Sequence, residues 1–195
     1  MPTPQDIMRH YDSDPDEDPW VRGKPAPEPV RVAPYDPEWP ALYALLAADI
    51  GAALGAALLR IDHVGSTAVP GLPAKPVVDI DVALADPADE PAYVPALEAI
   101  GYLLVIREPS WHQHRCLQRA APRVNLHVFG PDCPENIRHR MFRDWLRDHD
   151  DDRDRYAQAK HAAARGVDQV ADYNLRKQAV IRDIYERMFR AAGFI

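Results

Sequence analysis

The chain is poor in cysteine: only Cys116 and Cys133 occur in 195 residues. That excludes a disulfide framework, and no Cys/His spacing makes a zinc motif. A reduced, cytoplasmic setting is the expectation. A basic excess is also lacking, because 23 Lys and Arg face 30 Asp and Glu, a net charge of −7. General nucleic-acid binding needs a basic face and is not expected. No unbroken apolar run reaches the roughly 18 residues of a membrane span, so none is expected. Leu42 to Leu59 comes nearest, but Asp49, Gly51 and Gly55 interrupt it, and its length suits a buried helix. Pro2, Pro4 and Asp6 stand where a signal peptide would be basic and then apolar.

What is present suits one domain with a tail. Hydrophobic residues make up 47% of the chain, enough for a sizeable core. Ten of the twenty prolines fall in the first forty positions, beside the acids Asp12, Asp14, Asp16, Glu17 and Asp18. Such a segment has too little apolar surface to offset its ordering entropy. Residues 1–29 are therefore expected to be a disordered acidic tail, and 30–195 the folded domain.

The fold is expected to begin with a strand at Val30-Arg31-Val32. Asp36-Pro37-Glu38 reads as the start of a helix running to about Leu59. Ile61–Val64 and Val77–Leu84 read as strands. A helix opens near Asp86-Pro87 and Glu90-Pro91 and ends near Ile100, with Gly101 after it. Tyr102–Arg107 reads as a strand, and His112–Arg119 and Arg123–Phe129 as an antiparallel pair. From Pro134 the pattern is helical, over about 134–149, 152–165 and 170–192. The order gives an α/β (α+β) fold: a mixed β-sheet flanked by helices, with a helical C-terminal part.

The densest chemistry lies between Arg60 and Val82. A Gly65-Ser66 turn follows an apolar strand, a loop fixed by Pro70, Pro73 and Pro76 follows the turn, and Asp79-Ile80-Asp81 sits on the next strand. Side chains alternate along a strand, so both carboxylates share one face while Ile80 and the flanking valines take the other. Same-face positions lie roughly 6–7 Å apart, a spacing that suits a hard divalent cation or a pair of them. Backbone N–H groups of a Gly-Ser turn can face an anion. Two acids among Val77, Val78 and Val82 are costly unless neutralised or open to a cleft.

Val64-Gly65-Ser66, twelve residues from 67 to 78, and Asp79-Ile80-Asp81-Val82 together resemble the signature of the nucleotidyltransferase superfamily, the fold of DNA polymerase beta. The longer string from His63 to Asp81 resembles the GrpB family within it. Asn125-Leu-His-Val-Phe129, Phe142-Arg-Asp-Trp-Leu-Arg147 and Tyr173-Asn-Leu-Arg-Lys177 agree. The resemblance implies metal on Asp79 and Asp81, and a nucleotide phosphate at Gly65, Ser66 and Thr67. It implies magnesium or manganese as cofactor, with zinc an alternative, a nucleoside triphosphate as substrate, and a small molecule or protein side chain as acceptor. GrpB-like domains also occur fused to dephospho-CoA kinase. The rival expectation is therefore a non-catalytic module acting through a protein partner.

The departures matter. Active members of the superfamily usually add a third carboxylate from a later strand. Here Glu108 lies only at a strand end, and Asn125 and His127 hold the slot. His127 is expected as a third metal ligand or as a general base. His112 and His114 are expected on one strand face, opposite Arg115. Lys75 and Lys177 are candidate phosphate contacts. Arg143, Arg147, Lys160 and Arg176 suit a solvated helix face as well as a cleft. His63 is expected to pack beneath the turn.

Overall fold

The protein is described here as a computed structural model, which describes residues 1–11, 14, 16–167 and 169–195. Five strands form one mixed sheet: β1 (Arg60–Val64), β2 (Val78–Ala83), β3 (Leu103–Glu108), β4 (His114–Arg119) and β5 (Val124–Phe129). Their order is β1-β2-β5-β4-β3. Only the β2–β5 pair is parallel; the others are antiparallel. The helices are α1 (Pro4–Met8), α2 (Trp39–Leu54), α3 (Val94–Ala99), α4 (Pro134–Asp148), α5 (Asp150–Ala163) and α6 (Val170–Ala191).

The sheet has two unlike faces because its strands alternate. Val78, Ile80, Val82, Val124, Leu126, Val128 and Leu117 are buried on one face against Leu46, Ile50 and Leu54 of α2 and Leu97 of α3. The other face carries Asp79 and Asp81, opposite Asn125 and His127 in the parallel register. Helix α4 lies over it, and Val69, Leu72, Leu146, Tyr156 and Ile184 form a second core with α5 and α6. The division of apolar and polar faces follows directly from the period of two along β2 and β5.

Four expectations need correction. The stretch 30–32 forms no strand; Val30 and Val32 instead pack with Ala163, Val167 and Tyr173, and the bridge is Ala33 with Ala74. Helix α2 is not a buried helix all round: Leu45 is 68% exposed opposite the buried Leu46, Ile50 and Leu54. Trp39–Ala57 is long and apolar enough to cross a membrane by length and composition, with a mean hydropathy of 1.5. His112 is not on a strand; it and Gln113 have φ of 56° and 54°, and the His114 N–H closes the turn on Trp111 C=O at 2.9 Å. His112 and Gln113 are the two left-handed residues of the chain reversal that precedes β4, so His112 and His114 do not share a strand face.

The fourth concerns 1–29. Thr3 caps α1 in a reciprocal box with Asp6, and Ile7 is buried against Met188 and Phe189. Arg138 donates to the carbonyls of Ile7 at 3.0 Å and Arg9 at 2.7 Å. Trp20 bridges Ile106, and Val21 N–H donates to Val105 C=O at 3.0 Å, extending the sheet beyond β3. The segment has few apolar anchors, as its composition says, but those few are used. Asp12, part of the expected acidic run, lies outside the described residues, as do Ser13 and Pro15.

Candidate functional site

A cleft of about 390 Å³ separates the polar face of the sheet from the C-terminal helices. Gly65, Ser66, Lys75, Asp79, Asn125 and His127 line it from the sheet side, and His139, Lys160 and Lys177 from the helices. The sequence candidates thus converge, with two exceptions described below.

Gly65 has φ of 68°, a left-handed conformation that side chains resist, and a Cβ there would run into the Asp79 carboxylate. The turn can therefore lie directly on Asp79 only with glycine. It is braced from behind. His63 Nε2 meets Thr67 Oγ1 at 3.0 Å, and its ring stacks on Tyr43 at 4.5 Å. Burial, aided by Arg147 and Arg143, lowers the His63 pKa to about 4, so it packs as a neutral ring, as expected. Thr67 is 1% exposed with its hydroxyl held there, so it does not reach the cleft; the phosphate role expected of it is corrected. Arg143 donates to His63 C=O at 2.9 Å, and Arg147 to Ala68 C=O at 2.7 Å. Both guanidiniums hold the turn's backbone, and Arg176 donates to Arg165 C=O away from it.

The two aspartates differ in depth. Asp79 is half-buried at the cleft wall, and its Oδ1 accepts from Asn125 at 2.8 Å. Asp81 is completely buried. Its Oδ2 accepts from Asn136 at 2.9 Å and meets His139 Nδ1 at 2.9 Å, while Oδ1 has no hydrogen-bond partner. His139 Nε2 lies 3.4 Å from Glu135, itself paired with Arg138. Burial opposes the charge on His139, but Asp81 and then Glu135 override it and raise its pKa to about 10. Burial likewise opposes the Asp81 charge, and His139 lowers its pKa all the same. Asn136, His139 and Glu135 were not found from sequence. Their only signal was the three-residue spacing of Asn136 and His139, which gives one helix face toward the sheet.

His127 lies at the cleft with Nδ1 at 3.0 Å from His114 Nε2. His114 Nδ1 in turn meets Glu108 Oε2 at 2.7 Å. Arg115 points to the opposite face, where Glu90 accepts its Nε at 2.6 Å.

Three lysines face the cleft without an ion-pair partner among the described residues. Lys177 lies 3.4 Å from Tyr156 Oη and over the Tyr173 ring at 4.7 Å. Lys75 also lies over Tyr173, at 5.5 Å. Lys160, 2% exposed, donates to Pro73 C=O; burial and then the Lys177 charge lower its pKa to about 6.

Asp79 is open, and the orphaned Asp81 Oδ1 would welcome a cation. Yet the charge on Asp81 is already matched by His139, and among the described residues no three His, Cys, Asp or Glu side chains are placed to hold an ion. As arranged, Asp79, Asp81 and His127 do not fit a resident divalent metal.

The GrpB protein family model matches residues 29–187. The chain is 44% identical over 165 residues to a UPF0157 protein of Halalkalibacterium halodurans, covering 84% of this chain and 85% of that one. It is 39% identical to a UPF0157 protein of Pseudomonas aeruginosa, over 83% of this chain and 69% of the other. It is 32% identical to a dephospho-CoA kinase of Mycolicibacterium paratuberculosis, of which it covers only 46%. The crystal structure of GrpB from Enterococcus faecalis superposes with a TM-score of 0.75 at 27% identity, over 84% of this chain and 99% of that one. With the family model spanning nearly all of the folded chain, this protein belongs to the GrpB family.

Proposed function

We propose that the cleft binds the polyphosphate of a nucleoside triphosphate and presents it for nucleotidyl transfer to a hydroxyl or amine acceptor. The observation that carries this reading is the convergence of Lys75 and Lys177, unpaired with carboxylates, on the cleft beside Gly65-Ser66. Unpaired ammonium groups in a partly desolvated pocket seek a polyanion. The rings of Tyr156 and Tyr173 hold Lys177 in place by cation–π contact, and Tyr173 also holds Lys75.

A triphosphate arrives with its own divalent ion. Asp79, the open carboxylate, would meet that ion at the sheet end of the cleft. His127, which lines the same cleft, would take the acceptor proton. Asp81 supports the site from below through His139 and Asn136. The two buried free cysteines suit a reducing compartment, in keeping with a cytoplasmic location.

Thermal shift with ATP, GTP, CTP and UTP, each with and without magnesium or manganese, tests the reading. A ligand at ~100 times its Kd stabilises by about 2.7 kcal/mol. Stabilisation by at least one nucleotide, lost in Lys75→Ala and in Lys177→Ala, is expected. No shift in any combination would favour the second reading, a non-catalytic module. That reading rests on the relatives named dephospho-CoA kinase, in which the matched region is about half of the protein. It predicts complex formation with a dephospho-CoA kinase instead.

A further inference from the structure

The cleft histidine His127 is the last member of a directed chain of hydrogen bonds that its strand alone does not require. Glu108, at the end of β3, lies 2.7 Å from His114 Nδ1, and His114 Nε2 lies 3.0 Å from His127 Nδ1. An ionised carboxylate only accepts. His114 must then carry its proton on Nδ1, which leaves Nε2 as an acceptor. His127 must carry its proton on Nδ1 to donate to it. The Nε2 of His127 is left with its lone pair, and among the described residues it has no hydrogen-bond partner. Each tautomer is set by the bond before it.

The surroundings are built to hold that order. His114 is 3% exposed, between the rings of Trp111 at 4.9 Å and Phe129 at 4.8 Å. Water is kept from the middle of the chain. The left-handed turn at His112 and Gln113 delivers His114 to this position three residues after Trp111. Burial, with the charges of His127 and His139, keeps His114 well below the usual histidine range, so it stays neutral. The groups facing His127 from neighbouring elements are Asp81 on β2 and His139 on α4, with His139 at 6.3 Å between ring centroids.

We propose that Glu108 and His114 are positioning residues that fix His127 as the Nδ1–H tautomer, with Nε2 presented to the cleft as a general base. The purpose of that base rests on the nucleotidyl-transfer reading; the tautomer does not. In the transfer, an acceptor hydroxyl gives its proton to His127 Nε2 as its oxygen forms a bond to the α-phosphorus of the nucleoside triphosphate. The bond from that phosphorus to the pyrophosphate oxygen breaks, and pyrophosphate leaves with the electron pair. His114 stays neutral, and the proton remains on His127 Nε2 until water takes it from the cleft side.

Long-range proton–nitrogen NMR on the full chain labelled with 15N-histidine reads both tautomers in the wild type, without any variant. Both His114 and His127 are expected protonated on Nδ1. His127 protonated on Nε2 would overturn the proposal, because it would mean that the chain runs from Glu108 outward in the opposite sense. His114→Phe keeps the aromatic packing and removes the acceptor. His127 is then expected to lose the exclusive Nδ1–H form and to react more slowly with diethyl pyrocarbonate, since its Nε2 lone pair is no longer fixed. An unchanged tautomer and unchanged reactivity in that variant would also overturn it. Nucleotide titration of the same samples separates the two readings: wild type that shows the tautomer but binds no nucleotide sinks the transfer reading and leaves the relay.

Discussion

Asp79 and Asp81 are two residues apart on one strand face, yet they meet different surroundings. Alternation along β2 tells which face they take but not how deep each lies. Depth is set by α4, whose His139 and Asn136 close over Asp81 and leave Asp79 at the cleft. The two should therefore respond differently to the same change. Asp81→Asn breaks a buried pair and should cost about 3 kcal/mol in urea unfolding, within the range for removing one member of such a pair. Asp79→Asn should leave stability nearly unchanged and weaken magnesium-dependent nucleotide binding. Equal stability losses would mean that Asp81 does not depend on His139.

The pH dependence has a defined sign. The folded pKa of His139 is about 10, above the ordinary value of 6.5. Its contribution is fully present below the unfolded value and is lost as pH rises through about 10. Wild type should thus lose more unfolding free energy between neutral pH and about 10 than His139→Gln does. Parallel curves for the two proteins would contradict the pairing. Gly65→Ala should be worse than its size suggests, because it combines a left-handed φ with a collision on Asp79.

Among the elements, α4 does the most to build the site. Its N-terminal half sends Asn136 and His139 to Asp81, and its C-terminal half sends Arg143 to the His63 carbonyl before the Gly65-Ser66 turn and Arg147 to the Ala68 carbonyl after it. The helix was expected from its sequence, and so were the helices after it, because Pro134 and Gly166 punctuate long amphipathic runs. Which side its arginines take was not, since period alone gives a helix its faces and not its neighbour. Segment 1–29 shows the opposite failure. Its composition resembles a solvated tail, but a single buried Ile7 and a Trp20 bridge to β3 are enough to seat it. Deleting residues 1–28 should therefore lower thermal stability, and Ile7→Ala alone should cost about 2 kcal/mol, at the low end for a buried aliphatic truncation. A truncated protein with unchanged melting would show that these contacts contribute nothing to the domain.

For the whole molecule, the order of elements and the mixed sheet follow from patterning, turn residues and the Gly-Ser and Asp-x-Asp strings. The cleft does not, because it joins residues from Gly65 to Lys177 across a distance that no local pattern records. The proposed function rests on Lys75 and Lys177, brought to one pocket without an ion-pair partner among the described residues. Isothermal titration of the full chain with magnesium–nucleoside triphosphates decides the matter, run on wild type and on the Lys75→Ala, Lys177→Ala double variant. Saturable heat with wild type at one or more nucleotides, with affinity lost in a double variant that melts normally, is the expected result. Absence of heat with all four nucleotides, or affinity undiminished without the two lysines, would contradict it.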